Sequence, residues 1–138
     1  MTKNEDVRVL SIRQPWAWAI STGRKKVENR KWFTKYRGNV FIHASLRQDF
    51  DAVEDLKRLI RLPVPDEFPV GAIVAVATLV DVVDAKRAKR FGNWFTGPYG
   101  LVFADVRPLK KPVPVSGKLG LWRPSPPLRR AVARQLPD

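Results

Sequence analysis

The sequence predicts an α+β fold in which short strands close into a small barrel with a few helices at its flanks. Three observations predict it. Residues 70–83 and 99–106 are apolar and rich in β-branched and aromatic side chains, so both read as strands buried on two faces. Helical spacing is confined to three short stretches, one after Pro15, one over residues 48–62 and one near the end of the chain. Gly117 and Gly120 fall in the last strand-like segment, where a small barrel needs bends. At 138 residues the chain suits one domain with a real core.

In chain order, residues 7–11 form a short strand leading into the first helix. Pro15 suits the first helical position, because its missing N–H is one of the donors a helix start leaves unpaired, and Gly23 suits the left-handed residue past the end. Within that helix Trp16 and Ile20 share a face, while Trp18 lies about 200° round from Trp16. The two tryptophans therefore cannot enter the same core. Either one packs on the barrel and the other lines a cleft, or each packs on a different element.

Residues 26–32 follow as a strand, with Lys26, Glu28, Arg30 and Trp32 on one face and Val27, Asn29, Lys31 and Phe33 on the other. Neither face begins as a clean apolar one. That departure is expected where function overrides packing; a solvated edge strand is the plain alternative. Tyr36-Arg37-Gly38-Asn39 reads as a turn, and residues 39–44 alternate, with Val40, Ile42 and Ala44 opposite Phe41 and His43.

Phe50, Val53, Leu56, Leu59 and Ile60 give residues 48–62 the spacing of an amphipathic helix, which ends before the stiff connector of Pro63, Pro65 and Pro69. After the strand at 70–83, Lys86, Arg87, Lys89 and Arg90 occupy five positions beside Phe91, Trp94 and Phe95. Such a run offers charge for a nucleic-acid backbone and rings for its bases, or it is a solvated helix end over a buried aromatic cluster. Lys110-Lys111-Pro112 and residues 115–122 supply closing segments. Residues 123–138 form a basic, Pro- and Arg-rich extension ending in a short helix with Leu128, Val132 and Leu136 on one face, which could cap the barrel or add to a phosphate-binding surface.

Composition narrows the function. Twenty-six Lys and Arg against 13 Asp and Glu give +13 at pH 7, a balance that favours polyanionic partners, with solubility as the alternative reason. There is no cysteine and a single histidine, so disulfides, thiolate catalysis and multi-histidine metal sites are excluded. P-loop, nucleophile-elbow and dinucleotide-binding patterns are absent, and no cofactor or metal is expected. The N-terminal residues lack a secretory layout, and no apolar run approaches the ~18 residues of a membrane span. A soluble cytoplasmic protein is the expectation.

The run SIRQPWAWAISTGRKKVENRKWFTKYRGNVFIHAS resembles the signature of the ASCH domain, a relative of the PUA, YTH and EVE modules. The matching pieces are Gln14-Pro15-Trp16-Ala17, then Gly23, Lys25, Glu28, Arg30 and Trp32, then Tyr36-Arg37-Gly38. GAIVAVATLVD, Tyr99-Gly100 and PVPVSGKLGLW fall where that family places later barrel strands. The resemblance implies a PUA-like small mixed β-barrel with flanking helices over residues 1–122, and a reader of RNA or of another single-stranded or modified nucleic acid. It puts Lys25, Glu28, Arg30 and Trp16 on the floor of a base-sized cleft, with mutual neutralisation of Glu28 and Arg30 inside the barrel mouth as the structural alternative. The nucleic-acid-binding candidates are then Trp16, Lys25, Glu28, Arg30, Trp32 and Arg37 from the motif, with Lys86, Arg87, Lys89 and Arg90 from the basic run.

A few members resembling this family are hydrolases, which is the alternative. One branch cleaves 4-acetylcytidine with a Lys, a Thr three residues later and a Glu from a later helix. Lys25 matches the Lys, but Glu28 stands where the Thr belongs and the later segment, DAKRAKRF, is basic, so no appreciable acetate release is expected. Metal-independent RNA cleavage would need a general base and a cation, and His43 with Lys25 could supply them. Lys25, Glu28 and His43 are the catalytic candidates. A lone histidine at a strand end is also compatible with a structural role.

Overall fold

The computed structural model describes residues 6–61 and 63–138; residues 1–5 and Leu62, the last residue of the expected second helix, lie outside the described residues. Strands β1 (Val7–Ile12), β2 (Val27–Arg30), β3 (Gly38–Ala44), β4 (Ala72–Val83), β5 (Tyr99–Pro114) and β6 (Leu121–Trp122) make one curled sheet in the order β2-β5-β4-β3-β1-β6. The β1–β3 pair is parallel and the others are antiparallel. A parallel pair needs a crossover, and the segment carrying α1 (Trp16–Ser21) and β2 provides it. Helices α2 (Ala52–Leu59) and α3 (Pro126–Gln135) complete the α+β architecture, a curled half-barrel with flanking helices.

Both faces of the sheet are covered, which is why its strands are apolar on both sides. Leu10, Ile12, Val40, Ile42, Ala77 and Leu79 face one core, closed by Ala17 and Ile20 of α1. Val7, Val9, Phe41, Ile73 and Val76 face the other, closed by Leu128 and Val132 of α3. The C-terminal extension thus packs its apolar stripe onto the sheet. Burying those two side chains is worth roughly 1.5–3 kcal/mol each.

Several boundaries differ from the sequence expectation. Pro15 sits one place before the first helical residue, and its carbonyl accepts the first intrahelical bond, from the Ala19 N–H at 3.0 Å. Strand β2 stops at Arg30 because its partner Tyr99 is the first residue of β5, which leaves Lys31 and Trp32 nothing to pair with. In contrast, β5 runs on through Lys110-Lys111-Pro112 to Pro114. The basic run after β4 is not an α-helix: a turn, in which the Asp84 side chain accepts from the Lys86 N–H, leads into a 3-10 segment, Lys89–Trp94, kinked at Gly92.

Candidate functional site

The site begins at the end of α1. Gly23 adopts φ +78°, and the N–H groups of Arg24 and Lys25 both donate to the Ala19 carbonyl, which folds the chain back so that Lys25 tucks beneath the helix. Strand alternation then sends Val27 into a small cluster with Val83, Ala88 and Val102 and leaves Glu28 facing Lys25. The Lys25 ammonium donates to Glu28 Oε1 at 2.6 Å, and both residues are buried, at 4 and 8 % exposure. Arg30 donates through Nη2 to Glu28 Oε2 at 3.1 Å and to the Ser11 carbonyl at 2.7 Å. One carboxylate therefore lies between two cations, an arrangement whose bonds are charge-assisted and whose net charge is +1.

Arg30 also joins two strands that do not pair. Strand β2 ends one side of the sheet and β1 lies near the other, so the guanidinium spans the open side of the half-barrel.

A cavity of about 470 Å³ opens above the Lys25 and Glu28 pair. Trp16 from α1 and Trp94 from the 3-10 segment line it, with Asn93, Thr96 and Asn29, and α2 contributes Asp55, Arg58 and Leu59. Lys25 Nζ lies 5.3 Å from the centroid of the Trp16 ring, within cation–π range. Trp18, on the other side of the helix, packs edge-to-face on Phe68 of the connector at 6.0 Å and carries Arg24 over its ring. The two tryptophans divide as the helix geometry requires.

Two residues without an assigned role in the sequence reading hold this site together. Asn29 donates through Nδ2 to the Trp94 carbonyl at 3.0 Å and accepts through Oδ1 from the N–H groups of Thr96 (2.9 Å) and Gly97 (3.2 Å). Its amide clamps the wall that carries Trp94. Gln14, 1 % exposed, accepts the Trp18 N–H through Oε1 and donates through Nε2 to the Pro69 carbonyl, tying α1 to the connector. Gln14 was visible as part of the Gln14-Pro15-Trp16-Ala17 motif; no local signal marks Asn29.

The remaining candidates lie elsewhere. Trp32 packs against the core on the α1 side of the sheet. Arg37 donates to the backbone carbonyls of Thr34 and Tyr36. His43 is buried on the α3 side of the sheet, not in the cleft: Nδ1 meets Ser11 Oγ at 3.0 Å and Nε2 meets the Val115 carbonyl at 2.8 Å, so it pins the loop after β5. Because a carbonyl only accepts, Nε2 donates to Val115, and the Ser11 hydroxyl beside Nδ1 also reaches the Lys118 carbonyl at 3.4 Å.

In the basic run, Lys86, Lys89 and Arg90 are exposed, with Arg90 stacked over Phe91 at 4.5 Å. Arg87 is committed to Asp81, which it reaches at 2.7 Å. That hydrogen bond, with help from the Val82 N–H and the Arg87 charge, holds the Asp81 carboxyl below the ordinary carboxylate range against the opposing effect of its partial desolvation. Among the described residues no group of three His, Cys, Asp or Glu is placed to hold a metal ion, and no helix is long and apolar enough to cross a membrane.

A family model described as the ASCH domain matches residues 10–110. Activating signal cointegrator 1 of Homo sapiens is 26 % identical over 125 residues, covering 83 % of this chain and 22 % of that protein. The Mus musculus protein of the same name is 29 % identical over 128 residues, with the same coverage. The chain thus spans about a fifth of the length of these relatives. Among solved structures, the ASCH protein of Zymomonas mobilis superposes with a TM-score of 0.59 at 16 % identity, over 96 % of each chain. A point variant of it gives 0.62 at 15 % identity, over 96 % of this chain and all of that one. At that identity the likeness is one of fold.

Proposed function

The chain belongs to the ASCH domain family, which is linked to RNA binding, and from that premise we propose that it binds RNA or another single-stranded or modified nucleic acid, one base of which enters the cleft between Trp16 and Trp94. The observation that carries the reading is the pairing of two indole walls with the Lys25 and Glu28 pair in a single cavity of about 470 Å³. That volume lies within the ~300–1,000 Å³ of ordinary small-ligand sites. Indole faces stack on any base, at ~1–3 kcal/mol per base. The ammonium of Lys25 and the carboxylate of Glu28 offer a donor and an acceptor side by side to the edge of that base. Asn29 is committed to the backbone at 94–97, so it shapes the cleft without reading the ligand. Lys86, just before the 3-10 segment, and Lys89 and Arg90, its first two residues, supply charge for the flanking phosphates.

The test is a titration of tryptophan fluorescence with nucleoside monophosphates and with short single-stranded RNA over a range of salt. We expect quenching by at least one nucleotide, and an RNA affinity that falls with salt by about 0.7 of a log-log unit for each phosphate contacted. Absence of binding at low salt, or binding indifferent to salt, overturns the reading.

A further inference from the structure

The net charge is not spread evenly. Residues 106–137 hold eight Lys or Arg and no Asp or Glu, so +8 of the net +13 sits in less than a quarter of the chain. This stretch comprises the second half of β5, the loop after it, β6 and α3, none of which contributes to the cleft. It lies mostly beyond the region matched by the family model.

The fold gathers these charges on the face of the sheet away from α1. Helix α3 buries Leu128 and Val132 among Val7, Val9, Phe41, Ile73 and Val76, and so turns Arg130 and Arg134 outward, one helical turn apart and both exposed. Beside it, β5 carries a large bulge: Ile73 pairs with Val113 and Ala75 with Pro108, so two steps on β4 face five on β5. The surplus residues include Lys110 and Lys111, both exposed, while Leu109 and Val113 pack against the same core as α3.

Among the described residues, the ion pairs of Lys110 and Arg123 are long. Lys110 reaches Asp138 only at 3.9 Å, and Arg123 reaches Asp6 at 3.9 Å, both in solvent where such pairs are weak. Arg134, in the last turn of α3, is favoured by the helix dipole, and no acid on the first turn of the helix counters the positive face that it shares with Arg130.

We propose that the outer face of α3 and the Lys110-Lys111 bulge form a second, sequence-independent surface for the phosphodiester backbone of a nucleic acid, engaged together with the cleft. The proposal rests on the reading that the ligand is a nucleic acid. Because the two surfaces lie on opposite faces of the sheet, only a polymer can occupy both, and a mononucleotide senses the cleft alone.

The experiment compares the wild type with Arg130→Glu/Arg134→Glu and Lys110→Glu/Lys111→Glu, using uridine monophosphate and a ~30-nucleotide oligouridine as probes. Each charge-reversed pair should weaken the oligomer about tenfold or more at low salt and lower the log-log salt slope by about one to two. Nucleotide quenching of the cleft tryptophans should not change. Arg130→Gln/Arg134→Gln, which keeps Leu128 and Val132 in place, should show the same trend at smaller amplitude with an unaltered melting temperature. Oligomer affinity and slope equal to wild type overturn the proposal, as does an equal loss for monophosphate and oligomer. So does retained oligomer binding with lost binding to phosphatidylserine vesicles. If the monophosphate never binds while the oligomer binds through α3, the cleft reading fails and the second surface stands.

Discussion

Lys25 Nζ and Glu28 Oε1 lie 2.6 Å apart in a pocket that leaves both side chains almost wholly out of water. Such a pair is costly to break from one side only, because the survivor keeps its desolvation penalty without its partner. Glu28 is the more sensitive end, since its loss also takes the carboxylate from Arg30, which keeps the Ser11 carbonyl.

Glu28→Ala should cost about 3–5 kcal/mol in urea unfolding, and Glu28→Gln, which keeps an acceptor for Lys25, about 1–3 kcal/mol. Adding Lys25→Met to Glu28→Gln should recover part of the loss, a coupling that a double-mutant cycle reads directly. RNA affinity of the folded Glu28→Gln protein should fall roughly tenfold or more. If the folded fraction binds normally, the pair is structural and does not read the ligand.

Asn29→Ala removes three hydrogen bonds to the segment 94–97 at once. We expect faster amide exchange at Thr96 and Gly97 and a changed emission from Trp94, with stability lowered by roughly 1–3 kcal/mol. Unchanged exchange at those two amides would count against the clamp.

The Asp81 and Arg87 pair sets a pH dependence. The folded carboxyl titrates below its unfolded value, so its contribution to stability is present above about pH 4 and is lost as pH falls through the lowered folded value. Arg87→Ala should move the Asp81 carbon resonance titration up toward the ordinary range. The difference in stability between wild type and variant should be small, because the pair is solvated, and should vanish in acid. A titration that does not move refutes the pairing.

Gly100 sits opposite Asn29 in the β2–β5 ladder, and a Cβ there would strike Val27 Cγ2 and the Phe95 ring. Gly100→Ala should therefore cost about 1–3 kcal/mol by overpacking. A variant as stable as wild type, by urea midpoint, would show that Phe95 moves aside freely.

Much of this molecule was legible from local pattern. The strands at residues 70–83 and 39–44 announced themselves by alternation and β-branching, and the covered sheet explains why 70–83 was apolar throughout. The separation of Trp16 from Trp18 followed from helical geometry alone. Lys25 and Glu28, three residues apart at a turn, were near enough in sequence for their meeting to be anticipated. The extent of β5 was not, because Lys-Lys-Pro is a poor strand sequence and only the bulged pairing with β4 carries the strand past it.

What the amino-acid sequence determined by itself is the inventory and its short-range order: which segments can be strands, where α1 ends, which residues carry charge, and which chemistries lack their groups. The tertiary structure alone decided who faces whom. Asn29 reaches Trp94 across 65 positions, Gln14 reaches Pro69 across 55, and His43 reaches Val115 across 72. The second wall of the cleft, from α2 and the 3-10 segment, is likewise brought in from distant sequence. Periodicity reports on neighbours within a turn or two of chain. A hydrogen bond between residues so far apart leaves no periodic trace, since its geometry exists only once the sheet has curled and both its faces are packed.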